Sequence, residues 1–148
     1  MRMNANGQNA PSETVETLIR KAMEMRKRSY CPYSEFSVGA ALLTEGGRVY
    51  GGCNVENAAY SVGICAERTA FVKALSEGER SFTAIAVVGG KEPEAGQYSF
   101  PCGECRQFMR EFCDPDTFEI IAARSEKDYK RYTLGELLPE SFGPGNLV

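Results

Sequence analysis

Strand patterns and helical patterns alternate along this chain, and this alternation restricts the fold more than any other feature of the sequence. The predicted order is helix, β-hairpin, helix, strand, helix, strand, strand and a short last helix. Strands that are separated by helices favour a mixed sheet covered on both faces. The sequence therefore predicts an α/β fold with a five-stranded mixed sheet and helices on both faces. We expect one domain over residues 12–148, preceded by a flexible tail at residues 1–11.

Local signals set the expected boundaries of these elements. Ser12 is a candidate N-cap for the first helix, Glu45-Gly46-Gly47 is a hairpin signal, and Gly89-Gly90 is expected to end the third strand. Thr133 and Glu136 have capping-box spacing before the last helix. The predicted helices span residues 12–28, 65–75 and 101–112, and the predicted strands span residues 36–43, 48–53, 82–88, 118–123 and 129–132.

Charge and cysteine content exclude several classes of protein. The chain has 148 residues, a net charge of −3, six cysteines and no histidine. Long nucleic acid is usually bound through a basic surface, and none is evident here. No segment resembles an export signal or a membrane span, so we expect a cytoplasmic protein with reduced thiols and no membrane or nucleic-acid partner. Without histidine, catalysis must use carboxylates, thiolates or a metal.

Three cysteines at the predicted starts of two helices carry the clearest chemical signal. Cys65 begins the second helix, and Cys102 and Cys105 lie near the start of the third, in the motif PCGEC. Free N–H groups at a helix start stabilise thiolates and lower their pKa. Cysteines three residues apart on a helical turn direct both sulfurs at a common point. If the two helices lie side by side, the three sulfurs can bind one zinc ion.

Glu67, two residues after Cys65, points to a catalytic rather than a structural metal. Three protein ligands leave one tetrahedral position of zinc open, as in catalytic sites. Zinc makes a bound water acidic, and we expect the Glu67 carboxylate to take the proton and deliver it to the substrate. Three thiolates give the site a net negative charge. Arg68 is therefore expected to hydrogen-bond the thiolates and restore the electrophilicity of the metal.

Other interpretations of these cysteines remain open from the sequence. Cys53 could complete a four-cysteine shell, which would make the zinc structural, although Cys31, Cys53 and Cys113 are predicted to be buried thiols. A CxxC pair by itself also occurs in thiol redox proteins and non-catalytic zinc modules. The combination of CAE with a downstream PCxxC is the three-cysteine form of a zinc-deaminase signature, which favours the catalytic interpretation.

At these motifs the chain resembles a cytidine deaminase of the small, homotetrameric, three-cysteine zinc class. The resemblance extends from the first helix to the C terminus through YCPYSEFSVGAAL, GGCNVENAAYSVGICAERTA, PCGECRQFMREF and LLPESFGPGNL. It implies one zinc per subunit and hydrolysis of cytidine and 2′-deoxycytidine to the uridine nucleosides, with release of ammonia, in pyrimidine salvage. It also implies a homotetramer whose active sites are shared between subunits. The polar loop at residues 91–100 has no match in this resemblance.

The resemblance also implies roles for individual positions. Cys65, Cys102 and Cys105 correspond to the zinc ligands and Glu67 to the proton shuttle. The implied substrate-binding residues are Asn54 and Glu56 at the ribose 3′-hydroxyl, Ala66 with Glu67 at the base, Phe36 packed on the nucleoside, and Ala58, Tyr60 and Phe142 supplied by neighbouring subunits.

The residues themselves agree with a free nucleoside as substrate. Asn54 and Glu56 alternate along an extended segment, so both side chains can face one side and bind sugar hydroxyls. No Gly-rich phosphate loop is present, which argues against a nucleotide. A blasticidin-type or other aminopyrimidine deaminase is a competing reading of the same chemistry. A polynucleotide editor is disfavoured by the acidic charge.

Overall fold

A computed structural model describes residues 10–91 and 96–148 of the chain. The helices are α1 (Ser12–Arg26), α2 (Ala66–Ser76), α3 (Gly103–Phe112) and α4 (Leu134–Leu137), with short 3-10 turns at Tyr60–Val62 and Pro144–Asn146. The strands are β1 (Phe36–Thr44), β2 (Val49–Cys53), β3 (Phe82–Lys91), β4 (Glu119–Ala123) and β5 (Tyr129–Thr133).

The five strands form one sheet in the order β2-β1-β3-β4-β5. β3 and β4 pair in parallel across the α3 crossover, and the other three neighbouring pairs are antiparallel. The predicted five-stranded mixed sheet is thereby confirmed. The parallel pair is the point at which the chain leaves the sheet and returns through a helix, as parallel pairing requires.

Helices cover both faces of the sheet, as the sequence predicts. Consecutive strand residues alternate between two buried layers: Leu42 and Ile85 pack with α2 and α3, whereas Ala41 and Ala86 pack with α1. Phe71 of α2 lies at the centre of the first layer, within 7 Å of four other phenylalanine rings. A central sheet buried on both sides explains why its strands are apolar along their whole length rather than alternating with polar residues.

Two expected boundaries are wrong. Ser12 lies inside α1 rather than capping it, because Pro11 is the N-cap residue and its carbonyl oxygen accepts the first helical hydrogen bond from Val15 at 3.0 Å. Gly89 and Gly90 do not end β3, since they pair with β1 at Val38 and Ser37. Glycine is tolerated in the ladder at Gly89 because another side chain packs directly on its bare Cα.

The C-terminal part of the chain follows the sequence signals more closely. Thr133 caps α4, and its hydroxyl accepts a hydrogen bond from the Glu136 N–H at 3.3 Å. At the other end, residues 1–9 of the predicted flexible tail lie outside the described residues. Ala10 is buried, and its N–H donates to a carboxylate oxygen of Glu119 at 2.9 Å. No helix in the described ranges is long and apolar enough to cross a membrane.

Candidate active site

The sulfur atoms of Cys65, Cys102 and Cys105 lie within 4.8 Å of one another. Cys65 is the N-cap residue of α2 and Cys102 is the N-cap residue of α3, and both have extended backbone angles. Cys105 lies in the first turn of α3 and is fully buried. The positive ends of two helix dipoles and their free N–H groups therefore meet at one cluster of sulfurs.

This donor set fits a zinc ion that has three protein ligands and one open position. Cys53 does not belong to the cluster, because its thiol donates to the carbonyl oxygen of Arg28 at 3.4 Å and burial raises its pKa. Cys113 is buried, unlike the half-buried Cys53, and burial raises its pKa. It does not belong to the cluster either. In the part of the chain that the structure describes, nothing supports a closed four-cysteine shell.

Hydrogen bonds within the cluster set the charge on its sulfurs. The Cys105 thiol and the Arg68 guanidinium both donate to the Cys65 sulfur, which lowers the pKa of Cys65 to about 5. Because Cys105 holds the proton that the two sulfurs share, its own pKa is raised. The metal-free pair is thus a thiolate hydrogen-bonded by a thiol. A metal that binds all three sulfurs must displace that proton.

Arg68 brings a positive charge to the edge of the cluster. Its Nη2 atom lies 3.6 Å from the Cys65 sulfur and 3.5 Å from a carboxylate oxygen of Glu104. The hydrogen bond to Cys65 raises the pKa of Arg68 above its already high ordinary value, so the guanidinium stays charged. Arg68 therefore lies where a neutralising charge for the thiolates would act.

Glu67 lies in the first turn of α2 and is only 4% exposed. Burial raises the pKa of Glu67 to about 7, and the neighbouring Cys65 charge acts in the same direction. A hydrogen-bond contact with the Cys105 side chain partly offsets this rise. A carboxyl group with a pKa near 7 can both take up and release a proton at neutral pH, which is what acid–base catalysis requires.

Two cavities of the described chain meet beside the cluster, and Asn54 and Cys65 line both of them. The smaller has a volume of about 160 Å³ and is lined by Phe36, Val38, Asn54, Cys65, Ala66, Glu67, Val87, Ser99, Phe100 and Cys102. The larger has a volume of about 390 Å³ and is lined by Tyr33, Ser34, Asn54, Val55, Glu56, Asn57, Tyr60, Gly63, Ile64, Cys65 and Arg68.

Asn54 and Glu56 both line the larger cavity, and both side chains are held in place by the backbone. The Asn54 amide accepts a hydrogen bond from the Val38 N–H at 2.9 Å and donates one to the Phe36 carbonyl at 2.9 Å. One of its two N–H donors is left for a ligand. Glu56 accepts hydrogen bonds from the backbone N–H groups of Tyr33 and Ser34 at 3.0 and 3.1 Å, and its contacts with Ser34 lower its pKa.

The remaining predicted site residues divide into those that line a cavity of their own chain and those that do not. Phe36 and Ala66 line the smaller cavity of their own chain, together with Glu67. Tyr60 is 79% exposed and lines the larger cavity of its own chain. Ala58 and Phe142 line neither cavity, and the Phe142 carbonyl accepts a hydrogen bond from Gln107 on α3.

Residues 12–120 match the family model of the cytidine and deoxycytidylate deaminase zinc-binding region. The chain belongs to this family. The matched region contains the three cysteines of the cluster, Glu67 and Arg68. It ends before Phe142.

Several members of the family resemble the chain over nearly their whole length. A cytidine deaminase from Sporosarcina psychrophila is 48% identical over 133 residues, which cover 90% of this chain and 94% of that protein. A cytidine deaminase from Halalkalibacterium halodurans is 47% identical over 128 residues, covering 86% and 92%. The crystal structure of a cytidine deaminase from Burkholderia pseudomallei superposes with a TM-score of 0.76 at 46% identity, covering 85% of this chain and 97% of that one.

Four residues that line the smaller cavity escaped the sequence analysis. Val38 and Val87 come from β1 and β3, and Ser99 and Phe100 come immediately before Pro101. The valines could not be told from ordinary sheet residues. Ser99 and Phe100 could have been predicted from their position immediately before PCGEC, because residues next to a metal-ligand motif are held close to the site.

Proposed function

We propose that this chain hydrolyses cytidine and 2′-deoxycytidine to uridine and 2′-deoxyuridine, with zinc as cofactor. One observation carries the proposal: two sulfurs of the three-cysteine cluster and the buried Glu67 carboxyl line the same small cavity. Membership of the deaminase family and the names of the similar proteins support it. A role in the salvage of pyrimidine nucleosides follows from this activity.

Cys65, Cys102 and Cys105 would hold one zinc ion per subunit. Bound there, zinc would supply Lewis acidity that makes a water molecule a better nucleophile at neutral pH. Arg68 donates to the Cys65 thiolate and thereby withdraws negative charge from the ligand set. This hydrogen bond is the reason to assign Arg68 the task of keeping the site electrophilic.

Glu67 would carry the protons of the reaction. Its carboxylate takes a proton from the attacking water and delivers it to the pyrimidine ring. It then moves the remaining proton of that added oxygen to the amino group, which leaves as ammonia. The C–N bond breaks as the oxygen of water takes the place of nitrogen, so the products are a uracil nucleoside and ammonia. Near-complete burial suits this task, because no bulk water competes for the proton.

The two cavities would bind different parts of a nucleoside. The smaller is bounded by Phe36, Val38 and Val87 on its apolar side, which suits a flat pyrimidine ring. The larger presents Asn54 and Glu56, an amide donor and a carboxylate acceptor that suit sugar hydroxyls. Ala66 would contribute its backbone at the base.

The proposed assembly is a homotetramer with active sites shared between subunits. Ala58, Tyr60 and Phe142 are all exposed in the chain, and two of them are aromatic. Exposed aromatic side chains are typical of protein interfaces. We also propose that the protein works in the reducing cytoplasm, which is supported by six unpaired cysteines.

An absorbance assay with cytidine, run on the zinc-loaded protein, tests the proposed function. The wild type should form uridine. Glu67→Gln should lower kcat by about 10²–10⁴-fold while it keeps one zinc per chain. Glu111→Gln, at an exposed acidic residue of α3, is the matched control and should leave the rate unchanged.

Absence of uridine from a zinc-loaded wild type would contradict the proposal. Full activity of Glu67→Gln would contradict the assignment of the proton shuttle. Faster turnover of blasticidin S than of cytidine would assign the same chemistry to a different aminopyrimidine.

A further inference from the structure

The side-chain hydroxyl of Ser99 is buried and has no hydrogen-bond partner among the described residues. Ser99 lies two residues before Pro101, and it lines the smaller cavity with Glu67 and Phe36. Among the described residues, its Oγ is one of two buried side-chain polar atoms without a hydrogen-bond partner; the other is Nε of Arg68. Other atoms of Ser99 line the cavity, while its Oγ atom is covered and lacks a hydrogen-bond partner among the described residues, which is unfavourable.

The local packing brings Ser99 close to the aromatic wall of the cavity. A Cβ atom placed on Gly89 would lie 2.8 Å from the Ser99 Oγ and 3.1 Å from Cε1 of Phe36. The side chains of Ser99 and Phe36 thus occupy adjoining space over the bare Cα of Gly89. The glycine in β3 makes room for both, and this is the physical reason that the strand carries glycine at this point.

We propose that Ser99 is a further substrate-contacting residue of the deaminase site and that its hydroxyl hydrogen-bonds the pyrimidine base. This inference rests on the proposed function. A hydroxyl can donate or accept, so it can pair with a ring nitrogen or with a carbonyl oxygen of the base. The hydroxyl has no hydrogen-bond partner among the described residues, so it can turn toward a bound base without losing a hydrogen bond.

The position of Ser99 favours the base over the sugar. Ser99 lines the smaller cavity but not the larger one, whereas Glu56 lines the larger cavity but not the smaller. Asn54 lies between the two. Loss of a contact to the base should therefore lower kcat/KM equally for ribo- and deoxyribonucleosides, since the two substrates differ only in the sugar.

Steady-state kinetics of Ser99→Ala test this assignment with cytidine and with 2′-deoxycytidine. We expect kcat/KM to fall by about 3- to 10-fold for both substrates, the range that corresponds to one neutral hydrogen bond. The ratio of the two kcat/KM values should stay as in the wild type. Zinc content and the thermal midpoint should not fall, because the hydroxyl that is removed has no hydrogen-bond partner in the part of the chain that the structure describes. Ser76→Ala, at an exposed hydroxyl on α2, is the control and should match the wild type.

Calorimetric titration with uridine provides a reading that does not depend on turnover. Ser99→Ala should bind uridine about 3- to 10-fold more weakly than the wild type does. An unchanged affinity together with unchanged kinetics would overturn the assignment. A loss of activity that follows lost zinc or lost stability would assign Ser99 a structural role, and a changed ratio between the two nucleosides would move the contact to the sugar. If the wild type binds uridine but does not deaminate cytidine, the proposed function fails while the titration still decides the role of Ser99.

Discussion

Glu67 shows how burial and charge act on one carboxyl group. Its pKa of about 7, against an ordinary value of 4.5, arises first from burial. The folded, metal-free protein therefore holds a proton on Glu67 at pH values where the unfolded chain has released it. Over that range the folded state binds more protons than the unfolded state, so stability must fall as the pH rises.

This linkage predicts a pH-dependent gain in stability for Glu67→Gln in the metal-free protein. Glutamine resembles the protonated carboxyl and does not titrate. Its advantage over the wild type should be small at and below pH 4.5, grow as the pH rises to about 7 and then level off near about 3 kcal/mol. Urea unfolding in the presence of a chelator, at several pH values between 4.5 and 8, measures the difference. Cys65 titrates in both proteins, so its contribution to the difference in their stability largely cancels. Parallel stability curves for the two proteins would show that burial does not raise this pKa.

The three-cysteine cluster could be predicted from the sequence because its signals are local. Cys65 and Cys102 come at helix starts, and the spacing of Cys102 and Cys105 is one helical turn. The remaining features of the site depend on distant parts of the chain. The side chains of Ser99 and Phe36 adjoin each other over Gly89 of β3, and a side chain at position 89 would fill that space. No local sequence pattern predicts this arrangement.

At the scale of the elements, two glycines set how closely helices pack on the sheet. A Cβ atom on Gly52 of β2 would lie 2.5 Å from the Ala70 nitrogen and 2.6 Å from the Ala66 carbonyl oxygen of α2. A Cβ atom on Gly39 of β1 would lie 1.9 Å from the Ala22 carbonyl oxygen of α1, on the opposite face. In both cases the neighbour is helix backbone, which cannot move aside as a side chain can.

Alanine at these two positions should have different effects on metal binding. Gly39→Ala and Gly52→Ala should each destabilise the protein by at least about 1–3 kcal/mol, the usual result of overpacking. Gly52→Ala should also weaken zinc binding, because the contacted Ala66 lies between Cys65 and Glu67. Gly39→Ala displaces α1, which carries no site residue.

Unfolding curves measure the loss of stability, and competition with a chelator measures the zinc affinity. Gly46→Ala, whose nearest neighbour would lie 3.9 Å away, is the control for an added methyl group. Equal zinc affinities in the two core variants would show that the strain at position 52 does not reach the cysteine cluster through α2.

Element boundaries were predictable where one local signal dominates and were missed where packing decides. Thr133 caps α4 through its own hydroxyl, as the spacing to Glu136 predicts. Ser12 has the residue type of a cap, yet Pro11 takes the N-cap position. Gly89 and Gly90 have the composition of a strand end, yet β3 continues through them because β1 pairs with both. Long-range pairing overrode local preference in the strand.

At the scale of the whole molecule, several apolar side chains remain exposed around the site. Tyr30, Tyr33, Tyr60 and Val62 are each at least half exposed, and Tyr33 and Tyr60 contact each other edge to face beside the larger cavity. Phe142, 59% exposed, lies in the C-terminal segment against α3. The chain thus carries exposed aromatic residues both beside the cavities and away from them, as expected if one subunit supplies Phe142 to the site of another.

Mixed oligomers of two impaired variants test whether the sites are shared. Glu67→Gln keeps Phe142 but lacks the proton shuttle, whereas Phe142→Ala keeps Glu67 but lacks the aromatic side chain. If Phe142 acts on a neighbouring subunit, a site that combines Glu67 of one chain with Phe142 of another is complete. Random mixing in equal amounts places such sites at about a quarter of all positions. Co-expression of the two variants, with native mass spectrometry to count subunits, should therefore give about a quarter of the wild-type activity, well above the average of the two variants alone. Activity that stays at that average would show that each chain completes its own site, because mixing then creates no new complete sites.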